Sequence, residues 1–197
     1  METISFRRRK LPHWRVARSS YFVTIRLHGT IPAKVVYELK DKLEEFKSGK
    51  PADLLEYQRW QFRKIESILD NCSNNKDFLA VPDVAKMVLS EIDDMENEFA
   101  WRIPATALMP NHVHLLCVGE SAIISLDKFF KRFKGRTAVK ANRILGREGN
   151  PFWAEEIFDH WCRNSQKEES VKRYILNNPV KAGLVSKADD WPWIRIK

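Results

Sequence analysis

Two histidines, His112 and His114, lie two positions apart in an apolar run that spans residues 109–116. In a β-strand, alternate side chains point to the same face, so both imidazoles would project together, roughly 7 Å apart along the strand. At that spacing two imidazole nitrogens can converge on one divalent cation, while the intervening Val113 faces the core on the opposite side. The pair therefore indicates a metal site on a strand, and a third ligand must come from elsewhere in the chain.

Residues 165–178 predict a helix that carries a candidate nucleophile. Ser165 is followed three residues later by a glutamate, the spacing of a capping box, which predicts the helix start. Pro179 predicts the helix end just before it, because the residue preceding a proline avoids helical geometry. On this helix Tyr174 and Asn178 lie one turn apart on one face. Asn178 can then offer its amide oxygen as a metal ligand while Tyr174 presents its hydroxyl beside it.

A divalent cation beside a tyrosine suits phosphoryl transfer. Mg²⁺ or Mn²⁺ would polarise a phosphodiester, and the tyrosine oxygen would attack phosphorus to leave a covalent 5′-phosphotyrosine and a 3′-hydroxyl. The covalent link conserves the energy of the broken bond, which suits strand transfer better than hydrolysis. A lone histidine pair or a lone helical tyrosine is most often structural, so the prediction depends on their combination.

The composition is that of a globular protein, with 197 residues, 44% hydrophobic and 30% charged, and it predicts a single domain over residues 1–197. No apolar run approaches the roughly 20 residues of a membrane helix, so no membrane partner is expected. Cys72, Cys117 and Cys162 are widely spaced and odd in number. They form neither a zinc-binding pattern nor a disulfide framework, which indicates a reducing cytoplasm.

The formal net charge of +8 is unevenly distributed along the chain. Residues 128–147 and an N-terminal arm, residues 1–18, are basic, whereas residues 53–98 are rich in acids. A basic stripe with a basic arm is typical of proteins that bind nucleic acid, although a solvated helix face explains such a run equally well. The candidate phosphate ligands are Arg7, Arg8, Arg9, Lys10, Lys128, Lys131, Arg132, Lys134 and Arg136.

Hydrophobic periodicity predicts a mixed α/β (α+β) fold. A break is expected near Gly135 in the helix predicted over residues 126–144. Strands are predicted over residues 21–27, 99–108, 112–118 and 152–163, and helices over residues 33–46, 53–69, 82–97, 126–144 and 165–178.

Two segments resemble one family of enzymes. Residues 109–114, Met-Pro-Asn-His-Val-His, resemble the HUH motif (histidine, hydrophobe, histidine) of single-tyrosine transposases. Residues 174–185 are similar to the tyrosine segment of the REP-associated tyrosine transposases. Shorter stretches at residues 21–27, 158–160 and 191–193 agree, so that the resemblance runs in order along nearly the whole chain.

The resemblance implies a ferredoxin-like antiparallel sheet with packed helices, the histidine pair on a central strand and the tyrosine on a nearby helix. It implies His112 and His114 as metal ligands and Tyr174 as the nucleophile. Related insertion-sequence transposases carry a glutamine as third ligand where this chain has the shorter Asn178. Residues 51–98 exceed the minimal fold and are interpreted as a helical insertion.

The resemblance further implies cleavage of single-stranded DNA beside hairpins formed by repetitive extragenic palindromes. The expected partner is single-stranded or hairpin DNA, bound in the cytoplasm at the nucleoid by a monomer or a homodimer. A protein that binds hairpin DNA without cutting it is the alternative. An all-β metalloenzyme with a His-x-His pair fits poorly, because the chain has only seven glycines and long helical segments.

Overall fold

The computed structural model describes residues 3–8, 12–16, 19–47, 51–71 and 76–197. The chain divides into two units. The sheet unit comprises Met1–His28 and Asp77–Lys197, and the helical unit comprises Gly29–Lys76.

The sheet unit contains seven described strands and three described α-helices. The strands are β1 (Thr3–Arg8), β2 (Pro12–Val16), β3 (Ser20–Arg26), β4 (Arg102–Leu108), β5 (His112–Val118), β6 (Phe158–Cys162) and β7 (Ile194–Ile196). The helices of this unit are α3 (Pro82–Phe99), α4 (Leu126–Ile144) and α5 (Ser165–Lys181), and those of the helical unit are α1 (Ala33–Lys47) and α2 (Pro51–Asp70).

Five strands form one antiparallel sheet in the order β6–β3–β5–β4–β7, and β1 pairs with β2 in a separate hairpin. The strand of the histidine pair, β5, is therefore central, with β3 on one side and β4 on the other. The sheet confirms the predicted mixed α/β class with antiparallel strands and packed helices.

The two faces of the sheet carry different residues because side chains alternate along each strand. One face forms the hydrophobic core with α3 and α4. Its contributors from β3 and β5 are Tyr21, Val23, Ile25, Val113, Leu115 and Cys117. The opposite face carries both histidines of β5, and α5 packs against β4, β5 and β6. Helices α4 and α5 thus lie on opposite sides of the sheet.

The helical unit is a pair of helices held by polar contacts as well as apolar ones. The hydroxyl of Tyr57 in α2 donates to the carbonyl oxygen of Leu39 in α1 at 2.9 Å. Burial raises the pKa of Tyr57 to about 12. Lys64 and Glu38 form an ion pair at 3.0 Å between the same two helices.

Part of the predicted insertion, the α3 segment, belongs to the sheet unit, and the insertion itself stays a prediction.

Two sequence predictions around α3 and α4 were wrong. The strand predicted from residue 99 begins at Arg102, because α3 continues through Phe99 and ends at Ala100 with a left-handed φ of 53°. Helix α4 is unbroken at Gly135, since its backbone keeps a negative φ there. The aromatic stretch from residue 152 contributes a shorter strand than predicted, with an isolated bridge between Leu27 and Trp153 before it.

The predicted start of α5 at Ser165 is confirmed, whereas its capping residue and its C-terminal end differ from the prediction. Asn164, not Ser165, caps the helix, since its side chain accepts a hydrogen bond from the backbone N–H of Lys167 at 2.8 Å. At the other end the helix passes through Pro179 and continues to Lys181.

The true stop signal of α5 is a glycine. Gly183 adopts a left-handed φ of 69°. Its N–H donates to the carbonyl oxygen of Val180 at 3.0 Å, and the N–H of Leu184 donates to the carbonyl oxygen of Pro179 at 2.9 Å. These two bonds form a Schellman motif, which ends a helix by satisfying its last carbonyls. A proline in the preceding turn loses one hydrogen bond without ending the helix.

The C-terminal strand β7 was not predicted and forms an edge of the sheet beside β4. The indole N–H of Trp191 donates to the carbonyl oxygen of Leu108 at 2.9 Å, and the N–H of Leu108 donates to Trp193 at 3.0 Å. Among the described residues, no helix is long and apolar enough to cross a membrane.

Candidate active site

The histidine pair lies on β5 as the alternation of the strand predicts. His112 and His114 are fully buried and point to the face of the sheet that packs against α5. Their Nε2 atoms lie 3.0 Å apart and their ring centroids 4.5 Å apart. The strand therefore brings two potential nitrogen ligands to one point.

The other ring nitrogen of each histidine meets an oxygen. Nδ1 of His112 lies 2.6 Å from Oδ1 of Asn111, and an amide oxygen only accepts, so this Nδ1–H donates and leaves the lone pair on Nε2. Nδ1 of His114 lies 2.9 Å from the hydroxyl of Thr24 on the neighbouring strand β3. Such partners fix the orientation of metal-binding imidazoles and the nitrogen that is protonated.

The convergence of the two Nε2 atoms has a chemical consequence. When Asn111 and Thr24 each accept from Nδ1, the Nε2 lone pairs face each other at 3.0 Å and repel. A cation between them removes this repulsion, and neutral imidazole nitrogen is a common ligand of divalent metals. The geometry of the pair therefore fits a divalent cation.

Tyr174 lies against the histidine pair. Its ring meets the ring of His114 edge-on, with centroids 5.7 Å apart and an interplanar angle of 67°. Phe22 of β3 contacts both rings, at 5.6 Å from Tyr174 and 5.2 Å from His114. The tyrosine is half-buried, and Nζ of Lys181 lies 5.6 Å from its ring centroid, within cation–π distance. The structure thus brings the predicted nucleophile and the predicted ligands together.

Asn178 lies one helical turn after Tyr174 and is fully buried. Within the described part of the chain, neither its amide oxygen nor its amide nitrogen has a hydrogen-bond partner. Leaving a buried polar group unsatisfied costs about 1–3 kcal/mol, so such an amide is expected to have a partner in the working protein. An amide oxygen together with imidazole nitrogen is a donor set that Mg²⁺ or Mn²⁺ accepts. The role of Asn178 as third ligand stays a prediction.

Several of the predicted phosphate ligands are exposed, whereas others form hydrogen bonds or ion pairs with groups of the protein itself. Lys128, Lys131 and Arg132 are exposed on α4. The ammonium of Lys134 instead donates to the carbonyl oxygens of Ala154 and Glu155, at 2.9 and 2.5 Å. Burial lowers the pKa of Lys134, a shift that the nearby carboxylates of two glutamates oppose.

Arg136 is held by acids of α3. It donates two hydrogen bonds to Glu98, at 2.6 and 3.0 Å, and a third to the buried Glu91 at 3.3 Å. Lys140 also pairs with Glu91, at 2.5 Å. The hydrogen bonds that Arg136 donates to Glu98 raise the pKa of Arg136 above its already high value. The acids of α3 therefore compensate the C-terminal half of the basic stripe on α4.

The N-terminal arm is described in part. Arg7 and Arg8 lie on β1, which pairs with β2. Arg9 and Lys10 lie outside the described residues. The assignment of all four to DNA binding stays a prediction.

Arg26, which was not predicted from the sequence, also lies beside the histidine pair. Arg26 on β3 stands opposite His112 in the strand register, on the same face of the sheet. Burial lowers its pKa to about 10, although the charge of Glu156 acts in the opposite direction. The sequence did contain a signal for this placement. Arg26, Thr24 and Phe22 are spaced two residues apart on β3, so their side chains share one face of the sheet.

Comparisons with known proteins agree with this geometry. The family profile described as "Transposase IS200 like" matches residues 69–178, more than half of the chain. No curated protein matches the sequence.

Two solved structures are similar to the chain. One is a REP-associated tyrosine transposase bound to a REP hairpin, with 16% identity, a TM-score of 0.58, and coverage of 91% of this chain and 77% of that one. The other is a candidate transposase from Deinococcus radiodurans R1, with 14% identity, a TM-score of 0.43, and coverage of 83% and 92%. The first likeness supports the fold.

Proposed function

Since the chain belongs to the family of IS200-like transposases, we propose that it cuts single-stranded DNA beside hairpins of repetitive extragenic palindromes and joins the cut strand to Tyr174. The substrate hairpin is proposed from the solved REP-associated transposase, whose described partner is a REP hairpin. We propose that the protein acts at the nucleoid as a monomer or a homodimer.

The contact between Tyr174 and His114 carries the proposal. Tyr174, whose ring lies 5.7 Å from the ring of His114, can place its hydroxyl at a phosphate bound beside the two converged imidazoles. Phe22 packs against both rings and restrains their relative orientation. Positioning of this kind is a large part of catalysis, because the reacting atoms meet without further loss of entropy.

The residues that would hold a Mg²⁺ or Mn²⁺ ion are His112, His114 and Asn178. When bound, the ion polarises the phosphodiester and stabilises charge that develops on its oxygens. With Nδ1–H donated to Asn111 in His112 and to Thr24 in His114, the Nε2 lone pairs of both imidazoles would be available to the ion.

The reaction exchanges one ester for another. The phenolic oxygen of Tyr174 forms a bond to phosphorus, and the bond from phosphorus to the 3′ oxygen breaks. The proton lost by the phenol balances the proton gained by the 3′-hydroxyl. Because the new ester retains the energy of the old one, a 3′-hydroxyl can later attack it and rejoin DNA.

The experiment is to incubate the protein with labelled hairpin DNA from its own genome and Mn²⁺, and to isolate covalent protein–DNA adducts. We expect an adduct on a peptide that contains Tyr174, and none when Mn²⁺ is replaced by a chelator. Hairpin binding without any adduct would instead indicate the alternative, a binding protein that does not cut.

A further inference from the structure

The exposed face of α4 carries a glycine, Gly135, near the middle of the helix. Lys128, Lys131, Gly135 and Val139 follow one another at spacings of three and four residues, so they form one stripe along the helix. All four are exposed, and the apolar Val139 is 60% exposed. The glycine therefore lies in the middle of an outward stripe that is otherwise formed by long or branched side chains.

The fold has no need of a glycine at position 135. Its backbone keeps a negative φ, and a Cβ placed there would meet no atom within 4 Å. A glycine inside a helix is destabilising relative to alanine, because its backbone loses more conformational freedom on folding. The helix therefore carries a destabilising residue for which the surrounding structure shows no steric reason.

What Gly135 creates is a notch in the helix surface. On the helical surface it is surrounded by the residues three and four positions away, which are Lys131, Arg132, Ala138 and Val139. Glycine on a surface lets another backbone approach closely. Two cationic side chains beside the notch indicate that the approaching group is an anion.

The positive charge available to an anion lies mainly on the N-terminal side of the notch. Arg136 and Lys140 are tied to Glu91 and Glu98, and Arg132 lies 3.9 Å from Glu98. The exposed Lys128 and Lys131 extend the positive charge towards the start of α4, where Asp127 is the one acid of the first turn.

We infer that the notch at Gly135 receives the sugar–phosphate backbone of the DNA hairpin, with Lys128, Lys131 and Arg132 on the phosphates and Val139 against a sugar. This inference rests on the proposed function and extends it. Helix α4 covers the core face of the sheet, whereas Tyr174 meets His114 on the opposite face. The hairpin is thus anchored on one side of the sheet, and the single strand that leaves it is cut on the other.

Substitutions of Gly135 separate this role from a structural one. Gly135→Ala should raise the midpoint of thermal unfolding, because alanine favours the helix and meets open space. The same change should weaken hairpin binding, and Gly135→Leu should weaken it by about tenfold or more, the effect of losing roughly one charged contact. A gain in stability with a loss of affinity is not expected of a glycine with only a structural role.

The binding measurement is fluorescence anisotropy of labelled hairpin DNA at several salt concentrations. Ser90, exposed on α3, provides the matched control. Ser90→Ala raises helix propensity and Ser90→Leu adds bulk on a neighbouring helix, and both should leave affinity unchanged. Wild-type affinity in both Gly135 variants would overturn the inference.

The adduct assay distinguishes this inference from the proposed function. At saturating DNA, Gly135→Ala should form the Tyr174 adduct at nearly the wild-type rate, since Gly135 is exposed and a Cβ added there meets open space. Normal adducts together with unchanged affinity in the Gly135 variants would refute the anchoring role alone. Lost affinity in those variants without any wild-type adduct would refute cleavage and retain the anchoring surface.

Discussion

The ring of Tyr174 on α5 lies edge-on against the ring of His114 on β5, with 5.7 Å between centroids. Sixty residues of sequence separate the two, and the sheet and helix bring them into contact across the face opposite the main core. The contact places the ring of Tyr174 beside the histidine pair, as the proposed function requires.

Tyr174→Phe should abolish the covalent DNA adduct while preserving fold and hairpin binding. The substitution removes one oxygen and keeps the ring that contacts His114 and Phe22. Adducts are measured by denaturing gel after incubation with labelled DNA and Mn²⁺. Tyr37→Phe is the control, because Tyr37 is 64% exposed in the helical unit, and it should form adducts normally. Persistence of the adduct in Tyr174→Phe would contradict the assignment.

His112→Ala and His114→Ala should each abolish metal-dependent cutting with little loss of hairpin affinity. Each removes one of the Nε2 atoms that converge at 3.0 Å, whereas the exposed lysines of α4 remain. Cleavage is followed across a Mn²⁺ titration, and binding by anisotropy without metal. Wild-type cleavage in either variant would show that the pair is not the metal site.

Asn178→Leu should separate metal binding from stability. The leucine removes two buried amide atoms that have no hydrogen-bond partner in the described structure, so the metal-free protein should be as stable as wild type or more so, by about 1 kcal/mol. A metal that binds only the folded protein stabilises it by RT ln(1 + c/Kd), where c is the metal concentration, so weaker binding should reduce the rise in melting temperature on adding Mn²⁺. An undiminished Mn²⁺-dependent rise would exclude Asn178 as a ligand.

Sequence analysis predicted the local geometry of the site well. Strand alternation alone placed His112 and His114 on one face, and the resemblance to known transposases placed Tyr174 nearby. The oxygens that orient the imidazoles were not predicted. Thr24 comes from a strand ninety residues away, and only the register between β3 and β5 reveals that it faces His114.

The pairing of charges could not be predicted from their order in sequence. Arg136 and Glu98 lie on separate helices, and their ion pair depends on how α3 packs on α4. The predicted end of α5 was wrong for a different reason. Pro179 is a strong local signal, but the Schellman motif at Gly183 satisfies the last carbonyls and fixes the end of the helix.

Lys131→Met and Lys134→Met should have opposite consequences although the residues are three positions apart. Lys131 is exposed, so its loss should weaken hairpin binding and reduce the salt dependence by about 0.9 in log–log slope for a contact to the duplex stem. Lys134 holds two backbone carbonyls, so its loss should lower the melting temperature and leave the salt slope unchanged. Anisotropy and thermal melts of both variants test this contrast. Equal salt slopes in the wild type and Lys131→Met would contradict it.

Asp93→Asn should lower stability at neutral pH, and the deficit should disappear in acid. Asp93 accepts hydrogen bonds from Arg195 and Lys197, which tie the last residues of the chain to α3. Partial burial raises the pKa of Asp93, but these hydrogen bonds and charges outweigh it, so the pKa lies below the ordinary value of 3.8.

A carboxyl with a lowered pKa in the folded state stabilises the protein above its unfolded pKa, and that contribution is lost as pH falls through the folded pKa. Thermal melts between neutral pH and pH values below 3.8 should therefore show the wild-type and Asp93→Asn curves converging in acid. Asp94→Asn, at an exposed neighbour on α3, is the control and should track the wild type throughout. A deficit in Asp93→Asn that stays constant across this range would show that the ionised carboxylate is not what holds the C-terminal residues.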